Sequence, residues 1–192
     1  MTAEFQSSLS QETQQPSQRL QQYLKYNGRK YSFESSRLRL PNGVEATCDW
    51  IQHPGGALAV PVLADGRFVV IRQYRFAAEG WLLEFPAGTL EPGEDAGETV
   101  KRELEEEAGY RGKTWQKLPE FFLAPGYSDE VIYPYLATDL EKLEQPPAQD
   151  EDEQIEVVLM TAAELEAELR SGRAIDSRIV TAYWLARPYL EL

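Results

Sequence analysis

The sequence predicts one α+β domain, and three observations predict this class: the chain length, many short alternating segments, and a few helical segments. The 192 residues suit a single domain with a sizeable core. Most of the chain reads as short strands separated by turn residues, with three helical segments placed among them. No repeat or linker interrupts this pattern. We therefore expect one domain, with an N-terminal hairpin region that packs separately or against a partner.

The N-terminal part of the chain divides into a tail and a hairpin. Residues 1–18 are rich in Gln, Ser and Thr and offer little to bury, which predicts a disordered tail. The alternating segments YSFESSRLRL and VEATCDWIQH flank a Pro-Asn-Gly turn, which predicts a hairpin. We assign residues 19–56 to an N-terminal β region and residues 57–192 to the main domain.

Strands dominate the main domain. GGALAVPVLADGRFVVIRQYR predicts two strands around the Asp65-Gly66 turn, and WLLEFPAG predicts a short strand that ends at Pro86. Further strands are predicted around WQKLPEFFLAP and EVIYPYLATDL. The polar, acidic segment EQPPAQDEDEQ predicts a loop, and IEVVLM predicts the last strand.

Three segments have helical features. Apolar residues recur every four positions in the first of them, at Ala96, Val100, Leu104 and Ala108. Asp95 followed by Glu98 resembles a capping box, and Gly109 is typical of a helix C-terminus. TAAELEAELRSG opens with a Thr-x-x-Glu capping box, and a final helix is predicted from about Asp176 to about Pro188.

Composition argues against several classes of protein. The net charge of −13 makes attraction to nucleic acid or anionic lipid unfavourable. No apolar run approaches the roughly 18 residues of a membrane span, and the N-terminus lacks the basic start and apolar core of a secretory signal. Cys48 is the only cysteine, so no intrachain disulfide is possible. These features predict a cytoplasmic protein without a membrane or nucleic-acid partner.

The first helix carries five glutamates among the ten residues from Glu98 to Glu107. A run of glutamates on a helix is usually a solvated face, and Glu98 and Glu105 fall opposite the apolar stripe as that reading requires. Glu103 and Glu107 do not, because they lie four residues apart within or beside the stripe. Glu106 lies just off its edge.

Carboxylates crowded against a core repel each other and lose hydration, which is costly for ionised groups. A divalent cation such as Mg²⁺ or Mn²⁺ removes that cost, because it prefers oxygen ligands. The structural alternative is neutralisation by an arginine. Arg102 is the nearest candidate, but we expect it to project toward the side of Glu98 and not to serve both carboxylates.

The same segment resembles the Nudix box, whose spacing is G-x(5)-E-x(7)-R-E-U-x-E-E-x-G-U, where U is a bulky apolar or aromatic residue. The matching residues are Gly88, Glu94, Arg102, Glu103, Leu104, Glu106, Glu107, Gly109 and Tyr110. Nine fixed positions within 23 residues make a chance match very improbable. The resemblance implies an α/β/α sandwich with a mixed sheet, and hydrolysis of a nucleoside diphosphate linked to another group.

The family pattern also implies roles for individual residues. The metal ligands would be Glu103, Glu106, Glu107 and the carbonyl oxygen of Ala87. Glu107 would thereby also be a catalytic residue, and Glu94 and Arg102 would form an ion pair that holds the loop to the helix. The implied cofactor is Mg²⁺, with Mn²⁺ as an alternative.

Segments outside the box resemble the ADP-ribose pyrophosphatases of this family, and the resemblance covers roughly residues 30 to 190. APGYSDE places Pro125 sixteen residues after Gly109, as in that subfamily, although such a Pro-Gly pair is often only a turn. VVIRQYRFAAEGWLLEFPAG is similar to the strand and the E-x-P-A-G segment that precede the box. The resemblance implies hydrolysis of ADP-ribose, or of another ADP-sugar, to AMP and a sugar phosphate.

The subfamily resemblance extends to substrate residues and to a catalytic base. The acidic loop before Ile155 matches the segment that carries the base, with Glu153 as the first choice and Glu151 as the second; a solvated loop would look the same. Arg75 is either a surface cation or the ligand of a substrate phosphate. Ser128 and Glu130 would shape the loop near the substrate.

Other members of the family differ in activity, and the family also implies an oligomeric state. Some Nudix domains sense ADP-ribose without hydrolysing it, and others hydrolyse a different nucleotide sugar or a dinucleoside polyphosphate. The intact box favours an enzyme. The family also implies a homodimer that the N-terminal β region helps to form, with Tyr31, Phe33 or Trp50 available to stack on an adenine.

Overall fold

A computed structural model of the protein describes residues 16–148, 154–173 and 175–190. Within these residues the chain divides into two compact units. The first unit holds residues up to His53 together with the short segment 124–129, and the second unit holds the other described residues. The boundary that we placed after residue 56 stays a prediction. The sequence pattern did not associate the segment 124–129 with the N-terminal unit.

The first unit contains a three-stranded antiparallel sheet in the order β1-β2-β3. Its strands are β1 (Gln18–Asn27), β2 (Ser32–Arg39) and β3 (Glu45–Gln52). The predicted hairpin is β2 with β3, and the Pro-Asn-Gly turn joins them. Gly43 has a φ of 81° at this turn, a conformation that glycine adopts without steric cost. The hairpin prediction is therefore confirmed.

Strand β1 was not predicted, and it begins at Gln18, the last residue of the predicted tail. The rest of that tail up to residue 15 lies outside the described residues. β1 is exposed along almost its whole length, so its side chains show no alternation of buried and exposed positions. Backbone pairing with β2 holds it, and Arg19 adds an ion pair 3.0 Å long with the fully buried Glu34.

The described residues of the second unit form two further sheets. One is a mixed sheet in which the parallel pair β4 (Gly56–Pro61) and β10 (Val131–Lys142) lies at the centre, with antiparallel neighbours at its edges. Those neighbours are β7 (Ala87–Thr89), β8 (Tyr110–Lys117) and β9 (Phe121–Phe122). The other sheet is antiparallel and consists of β11 (Ile155–Met160), β5 (Phe68–Arg75) and β6 (Gly80–Glu84), in that order.

The strands predicted around the Asp65-Gly66 turn are both present, but they lie in different sheets. β4 belongs to the mixed sheet and β5 to the antiparallel one, and a single bridge between Val62 and Phe68 joins them near the turn. The strand predicted to end at Pro86 ends at Glu84. The last predicted strand, IEVVLM, is confirmed as β11.

The three predicted helices are present as α1 (Ala96–Ala108), α2 (Ala162–Leu169) and α3 (Ser177–Ala186). Thr161 and Glu164 form the predicted reciprocal capping box at α2. Asp176 caps the N-terminus of α3 by accepting a hydrogen bond from the amide of Arg178.

Alternate residues of the central strands face two separate cores. Leu58 and Val60 of β4 pack in one buried cluster with residues of α2 and α3. Ala57 and Ala59 point the other way and pack in a second cluster with residues of α1. Since successive side chains of a strand face opposite sides of a sheet, the sheets lie between α1 on one side and α2 with α3 on the other. The predicted α/β/α sandwich with a mixed sheet is confirmed.

None of the helices in the described part of the chain has the length and apolar content that would be needed to span a membrane.

Candidate active site

Helix α1 places the glutamates as its spacing predicted. Val100 and Leu104 are fully buried, and Glu103 and Glu107 beside them retain only 9% and 2% of their exposure. Glu98 points outward to Lys101, at 2.7 Å, so it does not complete the predicted capping box with the N-terminus. Helix α1 therefore carries two carboxylates on its buried side.

The ends of helix α1 fix the direction of this buried face. Asp95 caps the N-terminus, because its side chain accepts a hydrogen bond 2.8 Å long from the amide of Gly97. Gly109 ends the helix with a φ of 71°, and its amide bonds to the carbonyls of Glu105 and Leu104. These are the end signals that the sequence predicted.

Strand β7 contacts both buried carboxylates. The amide of Ala87 donates a hydrogen bond 2.8 Å long to Oε2 of Glu107. Glu103 lies against Gly88, so closely that a Cβ at that position would be 1.8 Å from its Oε1. Gly88 thus leaves the space that the Glu103 side chain occupies. The box glycine, the residue before it and the two acids form one local arrangement.

Arg102 pairs with three acidic residues of the box. Its Nη1 lies 2.9 Å from Oε1 of Glu103 and 2.9 Å from Oε2 of Glu106, so it contacts one of the two inward carboxylates and the carboxylate at the edge of the apolar stripe. Its Nε is 3.4 Å from Oε1 of Glu94, which is the predicted pair between loop and helix. Burial lowers the pKa of Arg102, but these acids outweigh it and the pKa is raised. The guanidinium reaches Glu103 because an arginine side chain is long, and whether it serves Glu103 and Glu107 together stays a prediction.

The donor set fits a divalent cation by its chemistry. Three carboxylates from one stretch of α1 supply the oxygen ligands that Mg²⁺ and Mn²⁺ prefer, and Gly88 makes room for one of them. In the part of the chain that the structure describes, no three acidic, histidine or cysteine side chains are grouped closely enough to hold a metal as they stand. Arg102 balances the charge of Glu103 and Glu106 in this arrangement, so a cation would compete with it for them.

A second charged group involves Arg75. Its Nε and Nη2 donate to the two oxygens of Glu84, at 2.7 and 2.6 Å, in a bidentate pair. Arg178 donates to Glu84 Oε2 from the other side, at 2.6 Å. Glu84 is only 2% exposed, so both arginines compensate a buried charge. Sequence reasoning did not select Glu84 or Arg178, although Glu84 is the first residue of the E-x-P-A-G segment.

The geometry of Arg75 suits the predicted contact with a substrate phosphate. Its side chain is 34% exposed, and Glu84 engages only Nε and Nη2, which leaves Nη1 for a ligand. Burial lowers the pKa of Arg75, but the pair with Glu84 outweighs it, and Glu107 contributes to the raised pKa. Arg75 thus lies within the electrostatic reach of a box carboxylate.

Glu130 also belongs to the second unit, directly before β10. Burial raises the pKa of its carboxyl. Asp176 raises this pKa further, while Arg178 and Arg75 oppose the shift. Glu130 therefore lies within the electrostatic reach of Arg178, Asp176 and Arg75, and its role near the substrate stays a prediction.

Pro125 and Ser128 lie in the first unit, in the segment bonded to β3. The amide of Tyr127 donates to the carbonyl of Ala124 at 3.0 Å, which closes a β-turn with Pro125 at its second position. The amide of Ile51 donates to the carbonyl of Tyr127 at 2.8 Å. The Pro-Gly pair thus forms a turn, and its role toward a substrate stays a prediction.

The two residues predicted to supply the catalytic base, Glu151 and Glu153, lie outside the described residues. The chain is described again from Gln154, whose carbonyl accepts a hydrogen bond 3.1 Å long from the amide of Tyr74 on β5. The neighbouring Gln73 is buried, and its side-chain oxygen has no hydrogen-bond partner among the described residues.

The three aromatic candidates for adenine stacking lie in the first unit. Tyr31 stacks on His53 with ring centroids 4.7 Å apart, and Arg19 lies over Trp50 at 5.8 Å. Phe33 is partly exposed. Each ring offers some surface to a ligand, and the choice among them stays open.

Comparisons with known proteins agree with this geometry. A model of the NUDIX domain matches residues 52–183. The chain is 35% identical over 167 residues to an ADP-ribose pyrophosphatase of Bacillus subtilis, covering 87% of this chain and 88% of that protein. It is equally similar, with the same coverage, to a methanol dehydrogenase activator of Bacillus methanolicus.

A solved structure of an ADP compounds hydrolase is similar with a TM-score of 0.77 and 26% identity, and the match covers 92% of this chain and 95% of that one. The intact box, the three-layer fold and these matches agree with one another. This chain belongs to the NUDIX domain family.

Proposed function

We propose that this protein hydrolyses the diphosphate bond of ADP-ribose, or of another ADP-sugar, to AMP and a sugar phosphate. The observation that carries the proposal is the buried pair Glu103 and Glu107, held against β7 by Gly88 and Ala87. Relatives named ADP-ribose pyrophosphatase from Bacillus subtilis and Mycobacterium tuberculosis support the choice of substrate.

Nudix hydrolases generally use divalent metal ions, and here Glu103, Glu106, Glu107 and the carbonyl oxygen of Ala87 would hold the ion. We propose Mg²⁺, with Mn²⁺ able to replace it. The bound ion would offset the charge of the phosphate oxygens and make water a stronger acid.

The remaining steps use the side chains of the chain itself. Arg75 binds the diphosphate through the guanidinium edge that Glu84 leaves available. Glu153, or Glu151 in its place, accepts a proton from the attacking water as the oxygen bonds to phosphorus. The phosphoanhydride bond breaks, and its electron pair stays on the departing phosphate. Pro125, Ser128 and Glu130 shape the surroundings of the substrate.

We also propose where the enzyme acts, its oligomeric state and its partners. It acts in the cytoplasm as a homodimer, and its N-terminal sheet contributes to the dimer interface. Its substrate is a small nucleotide sugar, with no nucleic-acid or membrane partner.

A substrate panel tests the choice of ADP-ribose. With Mg²⁺, we expect ADP-ribose to give the highest kcat/KM among ADP-ribose, other nucleotide sugars, diadenosine polyphosphates and NADH, by about tenfold or more over non-adenine sugars. Release of AMP is measured by chromatography, and an EDTA-treated sample serves as the control for contaminating activity. Slow turnover of ADP-ribose beside fast turnover of another compound would overturn the substrate assignment.

A further inference from the structure

The carboxylate of Glu84 is shared by two arginines that are far apart in the sequence. Arg75 on β5 contacts both of its oxygens, and Arg178 on α3 contacts Oε2 at 2.6 Å. Glu84 is 2% exposed, so water does not replace either partner at low cost. The position of this carboxylate therefore depends on both arginines.

Arg178 is itself held firmly. Its Nε lies 3.0 and 3.2 Å from the two oxygens of Asp176, and its Nη2 lies 3.0 Å from Oδ2 of the same residue. The side chain of Arg178 is 17% exposed, and Asp176 also caps α3. The guanidinium of Arg178 is thus fixed to the start of a helix and presents one nitrogen to Glu84.

Arg75 is held less firmly. It is the last residue of β5, a short 3-10 turn follows it, and its side chain is twice as exposed as that of Arg178. Among the described residues, Glu84 is the hydrogen-bonding partner of its guanidinium. The position of the Glu84 carboxylate therefore sets the plane of this guanidinium, and that plane sets the direction of Nη1.

We propose that Arg178 is a positioning residue for substrate binding: by holding Glu84 from α3, it orients Arg75 toward the diphosphate. This inference rests on the proposed function, because it takes Arg75 as the ligand of the diphosphate. Without Arg178, the buried carboxylate of Glu84 has Arg75 as its remaining arginine. Arg75 is then drawn inward, and its phosphate-binding edge is misaligned.

A double-mutant cycle separates positioning from a purely structural role. We expect Arg178→Gln to raise KM for ADP-ribose about tenfold, the factor for weakening one charge-assisted contact, with a smaller change in kcat. Arg75→Gln should raise KM at least as much. Because Arg178 acts through Arg75, the double variant should resemble Arg75→Gln alone. The dissociation constant of a methylene-bridged ADP-ribose analogue, which cannot be hydrolysed at the bridge, should follow the same pattern.

Two further variants keep the test informative if Arg178→Gln does not fold. Asp176→Ser retains a helix-capping side chain but removes the carboxylate that holds Arg178, and it should raise KM less than Arg178→Gln. Arg187→Gln is the matched control, because Arg187 follows α3 directly and pairs at 3.9 Å with Glu166, away from Glu84. It should leave KM and kcat unchanged.

Multiplicative effects of Arg75→Gln and Arg178→Gln on the analogue's dissociation constant would overturn the inference, since two residues that act independently combine in that way. An unchanged KM in folded Arg178→Gln would overturn it as well. Failure of the proposed function looks different, because the unmodified protein itself would then not cleave ADP-ribose.

Discussion

Glu107→Gln is expected to abolish turnover of ADP-ribose while leaving the fold intact. Glu107 is almost fully buried, and its Oε2 accepts a hydrogen bond from the amide of Ala87. A glutamine has the same shape and can keep this hydrogen bond through its carbonyl oxygen, so the packing survives. The substitution removes the negative charge that would hold a divalent cation. We expect kcat to fall by about a hundredfold or more, because the loss of one group that stabilises charge in the transition state typically lowers kcat by this factor.

Thermal unfolding provides a reading that does not depend on activity. A ligand that binds only the folded state raises the unfolding temperature, so Mn²⁺ should raise it in the unmodified protein. The increase should be much smaller in Glu107→Gln, while the unfolding temperature in EDTA should be the same or higher. Removing one of two crowded carboxylates relieves repulsion when no cation is present.

Glu105→Gln is the matched control for this prediction. Glu105 lies on the same helix, two residues earlier, and its carboxylate pairs with Arg111 at 2.7 Å. The change in net charge is identical, but Glu105 is not among the carboxylates that would hold the cation. Turnover and the response to Mn²⁺ should both be retained. Full activity of Glu107→Gln, or an equal loss in Glu105→Gln, would contradict the assignment of the metal ligands.

The sequence predicted the inward position of Glu103 and Glu107 because helical spacing is a local property. Each residue advances the helix by about 100°, so an apolar stripe determines which other positions share its face. The same rule does not locate the guanidinium of Arg102, which reaches Glu103 and Glu106 from a flank. Periodicity predicts the direction of the Cα–Cβ bond, but the charged group of a long side chain can lie far from that direction.

The group around Glu84 could not be predicted in this way. Glu84 and Arg178 are 94 residues apart, and only the packing of α3 beside the sheet brings them together. Strand β1 escaped prediction for a different reason. It is an exposed edge strand, so no buried face imposes alternation on its sequence, and backbone pairing with β2 specifies it instead.

Gly88→Ala is the second substitution with a large expected effect. The backbone of Gly88 has an ordinary φ, so alanine causes no strain there. The added Cβ would stand 1.8 Å from Oε1 of Glu103 and 2.6 Å from its Cγ, where real contacts stay beyond 3.0 Å. The Glu103 side chain must therefore leave its position by about 1 Å or more, and a displacement of that size costs about a hundredfold in rate.

Stability measurements can test whether the collision between the added Cβ and Glu103 causes the effect of Gly88→Ala. Gly88→Ala should lower the free energy of unfolding by about 1–3 kcal/mol, as overpacking does. The same substitution should cost much less in a Glu103→Ala background, where the space is free. Gly80→Ala is the matched control, since it also adds a methyl group to a strand and its nearest contact is an ordinary 3.6 Å. Equal destabilisation by Gly88→Ala in both backgrounds would place the strain in the backbone and would remove the reason for a glycine opposite Glu103.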